Sequence, residues 1–218
     1  MDTSKIFVVD DIFPDFMVSS FFDKVIDSSR WKYGAQGTGD SLYDRFFAIW
    51  IHKPHEKTNP FDNDIGSVCY YVHKAVMSRV VPEYLPGSTP TQIYRIHFNG
   101  QTPSPSPVSI HYDWDMPDFW TMLYYVGGVD GDTIFYDEPV DENGNDNKGK
   151  EVYRVKFKPG RLMIFPSYYW HAGEPPSEGL RVSLSINYKI GGGEIPNEVR
   201  RQRGLPEYHE PDLSSHRR

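Results

Sequence analysis

Hydrophobic residues recur with two different periods along this chain, and the change falls near residue 90. After a short apolar run from Ile6 to Val9, Val18, Phe21, Phe22, Val25 and Ile26 recur three and four positions apart. That spacing marks one face of a helix, predicted from about Pro14 to Trp31. Gly34 to Asp40 reads as a polar, Gly-rich loop, and Arg45 to His52 (RFFAIWIH) as a buried strand. A second stripe joins Ile65, Val68, Cys69, Val72, Val76 and Val80, with Asp62 or Asn63 placed to cap it and Pro82 and Pro86 placed to end it. Each helix has a single apolar face, so each must bury that face against another layer.

From residue 91 the period becomes two. Strand candidates are Gln92 to Phe98, Val108 to Tyr112, Trp120 to Val126, Thr133 to Tyr136, Val152 to Lys158, Arg161 to Phe165 and Leu180 to Lys189. Many short strands separated by turns predict a sandwich or jelly roll, with the two helices packed on an outer sheet face. One domain is expected over residues 1–190, with helical support in 1–90 and the β core in 91–190. Residues 191–218 are expected to form a tail or lid.

Composition narrows the class. The 15 Tyr, 13 Phe and 5 Trp can fill an interior, which rules out global disorder. With 23 Lys+Arg against 30 Asp+Glu, the net charge of −7 argues against a dedicated binder of nucleic acid or anionic membrane, both of which reward a basic surface. The single cysteine, Cys69, permits neither an intrachain disulfide nor a thiolate zinc cluster, so a metal site must draw on His, Asp or Glu. Cys69 itself falls on the helix stripe and is expected in the core. Residues 1–22 contain Asp2, Lys5, Asp10, Asp11 and Asp15 with no long apolar run, so the expectation is a cytoplasmic protein with no signal peptide or membrane span. Asp141 to Lys150 (DENGNDNKGK) has acids at a spacing suggestive of calcium. Position six would be Asp146 rather than Gly and position twelve Val152, so a solvated loop is expected instead.

The chemistry concentrates in VSIHYDWD, residues 108–115. Strand alternation would place Ser109, His111 and Asp113 on one face. His171, within MIFPSYYWHAGEP, would return beside them as a third ligand. Two imidazoles and one carboxylate suit non-haem Fe(II) with open positions, and also suit zinc. Arg181 opens RVSLSINY, where Arg181, Ser183, Ser185 and Asn187 alternate with Val182, Leu184, Ile186 and Tyr188. If the apolar set faces the helices, Arg181 points into the barrel. A buried guanidinium is costly unless an anion satisfies it, and it matches a carboxylate with two parallel hydrogen bonds. A dicarboxylate spanning metal and Arg181 would satisfy both.

With those residues the sequence resembles the Fe(II)/2-oxoglutarate-dependent dioxygenase superfamily, most closely its prolyl 4-hydroxylase-like branch. The matching segments are His111-Tyr112-Asp113, His171 and Arg181, flanked by VVDDIFP, TMLYYVGG and FKPGRLMIFPSYYWHAGEP, and they cover roughly residues 5 to 190. The resemblance implies a double-stranded β-helix (jelly roll, cupin-like). It implies Fe(II) on His111, Asp113 and His171, and 2-oxoglutarate with its distal carboxylate on Arg181. Tyr125 is implied as a co-substrate hydroxyl contact. Ser183 is a second candidate for the co-substrate carboxylate, the alternative being a bond to the backbone. Tyr94 stands in for a co-substrate tyrosine that relatives place nearer the first ligand. Dioxygen would be consumed, succinate and carbon dioxide released, and ascorbate is a candidate auxiliary reductant. Asp113 favours hydroxylation, because related halogenases carry a small residue there.

Prolyl hydroxylation of a peptide or protein is the expected reaction, with a free amino acid or small metabolite as the alternative substrate. A nucleobase demethylase fits the acidic balance poorly. A cupin-like module that binds metal without turnover is the competing non-enzymatic reading. Tyr112, Trp114, Trp120, Tyr169 and Trp170 lie near the ligands and are expected mainly in packing; His52, His55, His73 and His97 are expected to be structural.

Overall fold

The computed structural model describes residues 1–33, 46–53, 57, 59–104, 110–137 and 149–191. Strand β1 (Phe7–Val9) precedes helix α1 (Asp15–Ile26), β2 (Lys32–Tyr33) and β3 (Phe46–His52). Helix α2 (Gly66–Ala75) runs through a π-wound turn (Val76–Val80) into α3 (Val81–Tyr84). The strands β4 (Thr89–Gln101), β5 (Phe119–Gly128), β6 (Thr133–Tyr136), β7 (Glu151–Val155), β8 (Leu162–Pro166), β9 (His171–Gly173) and β10 (Arg181–Gly191) complete the order.

Seven strands form one antiparallel sheet in the order β1-β8-β5-β10-β4-β3-β2, and three form a second in the order β7-β6-β9. The fold is a double-stranded β-helix with helices on the outer face of the larger sheet. Alternation assigns the two faces. Met122, Tyr124 and Val126 of β5 and Val182, Leu184, Ile186 and Tyr188 of β10 join Phe21, Val25, Val68, Val72 and Val76 in the helix-side core. Leu123 and Tyr125 of β5 turn the other way and pack with Phe135, Val155, Met163, Phe165 and Tyr169 inside the barrel. One apolar layer therefore holds the helices to the sheet, and a second packs in the interior. Cys69 is fully buried in the first layer, and burial pushes its thiol up to about 12.

Local departures from the expected pattern have physical reasons. Helix α1 stops at Ile26, five residues early, because the Trp31 indole N–H folds back to donate to the carbonyl of Val25 at 2.9 Å. Pro82 does not end the second helical segment. The π-wound turn restarts the hydrogen-bond ladder, and Pro82 falls in the first turn of α3, where its missing N–H is not needed. Asn63 acts just before α2, its Oδ1 accepting from the Ile65 N–H at 3.2 Å, while Ile65 occupies the cap position. β7 ends at Val155 rather than Lys158, and the Phe157 N–H donates to Asp132 Oδ1 at 2.8 Å instead.

The expected strand from Val108 to Tyr112 is absent in its described part, where His111 makes a single antiparallel bridge to His171. Beyond it the backbone N–H groups of Asp113 and Trp114 both donate to the carbonyl of Ser167, at 2.9 and 3.2 Å, which turns the chain out of strand register. Val108 and Ser109, His55, the whole of the expected 34–40 loop, residues 141–148 of the second, and the tail from residue 192 lie outside the described residues. Among the described residues, no helix is long and apolar enough to cross a membrane.

Candidate metal and co-substrate site

His111 and His171 are clamped to each other by a reciprocal backbone pair, His111 N–H to His171 O at 3.0 Å and His171 N–H to His111 O at 2.8 Å. Asp113 follows on the turn held by Ser167. One ligating atom from each of His111, Asp113 and His171 lies within 4.8 Å of the others, so the three converge although Asp113 is not on a strand. His171 Nδ1 is 2.9 Å from the carbonyl of Tyr169. A carbonyl only accepts, so Nδ1 carries the proton and Nε2 is left to bind a cation. Burial, with His111 close by, lowers the His171 pKa to about 4, which keeps its imidazole neutral near pH 7.

Asp113 sits in a closed polar network. Burial alone would raise its pKa. The Arg95 guanidinium, then His171, His111 and the Thr121 hydroxyl, outweigh that effect and hold it well below the carboxylate range. Arg95 Nη2 donates to Asp113 Oδ1, and Arg95 Nε donates to Asn187 Oδ1 at 2.6 Å. Thr121 Oγ1 donates to Asp113 Oδ2 at 2.7 Å and accepts from Asn187 Nδ2 at 2.8 Å. Ser167 Oγ lies 2.9 Å from Thr121 Oγ1 and completes the network. Sequence reasoning missed Arg95 and Thr121 as parts of the site. A signal existed on β4, where Arg95, His97, Asn99 and Gln101 alternate with Ile96, Phe98 and Gly100. An arginine in a buried period-two run calls for a partner inside the barrel.

The inward orientation of Arg181 agrees with the alternation argument. It is 3 % exposed, and the inner face of β10 also carries Ser183, Ser185 and Asn187. Its Nε donates to Gly131 O at 2.8 Å, Nη1 to Gln101 Oε1 and Nη2 to Thr133 Oγ1 at 3.1 Å. All of these acceptors are neutral, and among the described residues no carboxylate forms an ion pair with it. Two glycines make room for the side chain. A Cβ on Gly131, whose φ is +107°, would lie 2.6 Å from Arg181 Cδ, and one on Gly173 would lie 3.0 Å from Nη1. Gly173 is two residues beyond His171 on β9, so Arg181 lies roughly 7 Å along that strand from the His171 position, given its rise per residue. That separation suits a short dicarboxylate bound at both ends.

The remaining candidates have mixed surroundings. The Tyr125 ring lies under the Arg181 guanidinium, 5.1 Å from centroid to Cζ, and its hydroxyl donates to Thr133 Oγ1 at 2.7 Å. Ser183 Oγ is buried and has no hydrogen-bond partner among the described residues. An orphaned hydroxyl two positions from an acid-free guanidinium on the same face fits an anionic group that is itself an acceptor. Tyr94 packs edge-on against Trp114 and Phe119, with centroids at 4.6 and 4.9 Å. Trp120 joins the helix-side core, whereas exposed Tyr112 meets Trp170 edge-on at 4.7 Å. His97 stacks on Trp50 and bonds Asn99, and His73 bonds the Tyr188 hydroxyl at 3.0 Å. Neither belongs to the converging group.

No protein-family model matches the sequence, and no curated protein matches it. Solved structures do share the fold. A 2OG-Fe(II) oxygenase family oxidoreductase from Burkholderia pseudomallei aligns at TM-score 0.60 and 14% identity, covering 87% of this chain and 88% of that one. A prolyl hydroxylase from Trichoplax adhaerens, in complex with a peptide fragment of the hypoxia inducible factor oxygen degradation domain, aligns at 0.58 and 17%, covering 86% and 84%. The epimerase SnoN in complex with Fe3+, alpha ketoglutarate and nogalamycin RO aligns at 0.58 and 14%, covering 96% and 88%. At such identities the likeness establishes the architecture, and the chemistry has to be argued from the side chains.

Proposed function

We propose that this chain is an Fe(II)- and 2-oxoglutarate-dependent oxygenase that hydroxylates a C–H bond of its substrate. The observation that carries the reading is the pairing of a converging His-Asp-His group with a buried, acid-free guanidinium one short strand segment away. His111, Asp113 and His171 would hold the metal. Arg181 would hold the distal carboxylate of 2-oxoglutarate, with the Ser183 hydroxyl as a further donor. Tyr125 acts beneath Arg181, its ring backing the guanidinium, and Tyr94 acts through its packing on Trp114. Iron with 2-oxoglutarate supplies the oxidising power for dioxygen chemistry. The chain's own part is to keep His171 neutral, to orient Asp113 through Thr121 and Arg95, and to exclude water through the aromatic interior of Phe135, Phe165 and Tyr169.

The finer reading is hydroxylation of a prolyl residue in a peptide. Its support is the branch resemblance around His111 and His171 and the peptide carried by one structural neighbour. A small-molecule substrate is the second reading, favoured by the 96% coverage of this chain in its alignment with SnoN. Release of succinate measured across a panel of peptides and metabolites, followed by mass spectrometry for one added oxygen, separates the two. Anaerobic Fe(II) with 2-oxoglutarate should give a weak visible charge-transfer band; a colourless, tightly zinc-loaded protein would favour the metal-binding module without turnover.

A further inference from the structure

Asp113 is oriented by a cation that cannot leave. An ionised carboxylate offers about four lone-pair sites. Thr121 Oγ1 and Asn187 Nδ2, at 2.7 and 3.3 Å, occupy Oδ2, and Arg95 Nη2 takes one site on Oδ1. The remaining site is on Oδ1, the oxygen already shared with the guanidinium. Arg95 is pinned at its other end by Asn187 Oδ1 at 2.6 Å and lies over the Trp114 ring at 5.7 Å. A divalent ion taking the last lone pair would therefore bind beside a fixed positive charge.

Arg181 adds a second guanidinium to the same interior. A cation entering alone meets both guanidinium groups and one carboxylate. A cation entering with a dianion on Arg181 meets a pocket two charges less positive than it would alone.

We propose that Arg95 is a positioning residue that serves as the resident counter-cation of Asp113, weakening the binding of a divalent metal by itself and coupling it to the binding of the anionic co-substrate. The proposal rests on the metal and co-substrate reading above. Linkage makes the coupling reciprocal, so the metal strengthens co-substrate binding by the same factor.

The test is titration of the metal-free full chain with Mn2+, reading free Mn2+ by electron paramagnetic resonance, with and without 2-oxoglutarate and without turnover. In the wild type, saturating 2-oxoglutarate should tighten Mn2+ binding by about tenfold or more. Arg95→Met should bind Mn2+ about tenfold more tightly than wild type when 2-oxoglutarate is absent, and the coupling should shrink, because removing the like charge favours the ion. Arg95→Lys should behave as wild type. Arg95→Gln, which retains a hydrogen-bond donor without the charge, should behave as Arg95→Met and serves if the methionine variant does not fold. A merely structural arginine would give weaker or unchanged Mn2+ binding in both neutral variants, and that result, or a wild type with no coupling, overturns the proposal. His171→Ala separates the two levels. If it binds Mn2+ as well as wild type, the metal reading itself fails; if it loses binding while the Arg95 variants are unchanged, only the role of Arg95 fails.

Discussion

Arg95 and Arg181 stand on the neighbouring strands β4 and β10, inside one barrel, and they are satisfied in opposite ways. Arg95 is opposite Asn187 in the register and forms an ion pair with Asp113; Arg181 is opposite Gln101 and meets only carbonyl, amide and hydroxyl oxygens. The first guanidinium is part of a hydrogen-bonded network that joins Asp113, Asn187, Thr121 and Ser167. The second brings a full positive charge into a dry site with only neutral hydrogen bonds to offset it. Burying a charge that way is expensive, so the difference separates a guanidinium already offset by a carboxylate from one with no counter-ion among the described residues.

Breaking the closed end should have the largest effect. Asp113→Ala should reduce substrate-coupled succinate formation to background, and full turnover in that variant would remove Asp113 from the ligand set. At the open end, Arg181→Met should raise the KM for 2-oxoglutarate by about a hundredfold, since a charge-assisted bidentate contact contributes about 3 kcal/mol. An unchanged KM would make Arg181 a packing residue. Gly173→Ala sharpens the same point without touching the charge. Its methyl would lie 3.0 Å from Arg181 Nη1 and 3.2 Å from Gln101 Oε1, and crowding of about 1 to 2 kcal/mol should raise the co-substrate KM by about tenfold. Thr121→Val removes one neutral donor from Asp113 and should cost about 1 kcal/mol of stability, read as a small fall in Tm.

The smallest effect belongs to a third arginine at the rim. Arg161 pairs with Asp10 through Nε and Nη2 at 2.7 and 2.8 Å, partly in solvent. Asp10→Asn should lower stability by about 0.5 kcal/mol at pH 7. The Arg161 hydrogen bond lowers the Asp10 pKa, so its contribution is present above the unfolded value of about 4 and fades as pH falls through the lower folded value. Variant and wild type should therefore converge in acid, as urea melts at a series of pH values would reveal. A gap that widened in acid would contradict the assignment.

Much of the layout was legible from hydrophobic period. Val182, Leu184, Ile186 and Tyr188 face the helices because side chains alternate across a strand, and that same alternation put Arg181 and Ser183 inside. The helix stripe from Ile65 to Val80 was legible for the same reason, since every one of its residues is buried. The reading failed where a local rule met a longer-range contact. Alternation through His111 and Asp113 led to residues that do converge with His171, but for the wrong reason, because the Ser167 carbonyl, not a strand, sets the position of Asp113. Pro82 continued into helix because the turn before it had already changed its winding.

By itself, then, the chain's order of residue types determined which side chains could hold a cation and which face of each strand is apolar. Those properties follow from side-chain type and backbone period, which are local. The partnership of Arg95 with Asp113, the glycine-lined slot around Arg181 and the orphaned hydroxyl of Ser183 were decided only when four strands and a turn came together. Hydrogen bonds and close approaches depend on tenths of an ångström between segments far apart in the chain, and no local period encodes such distances.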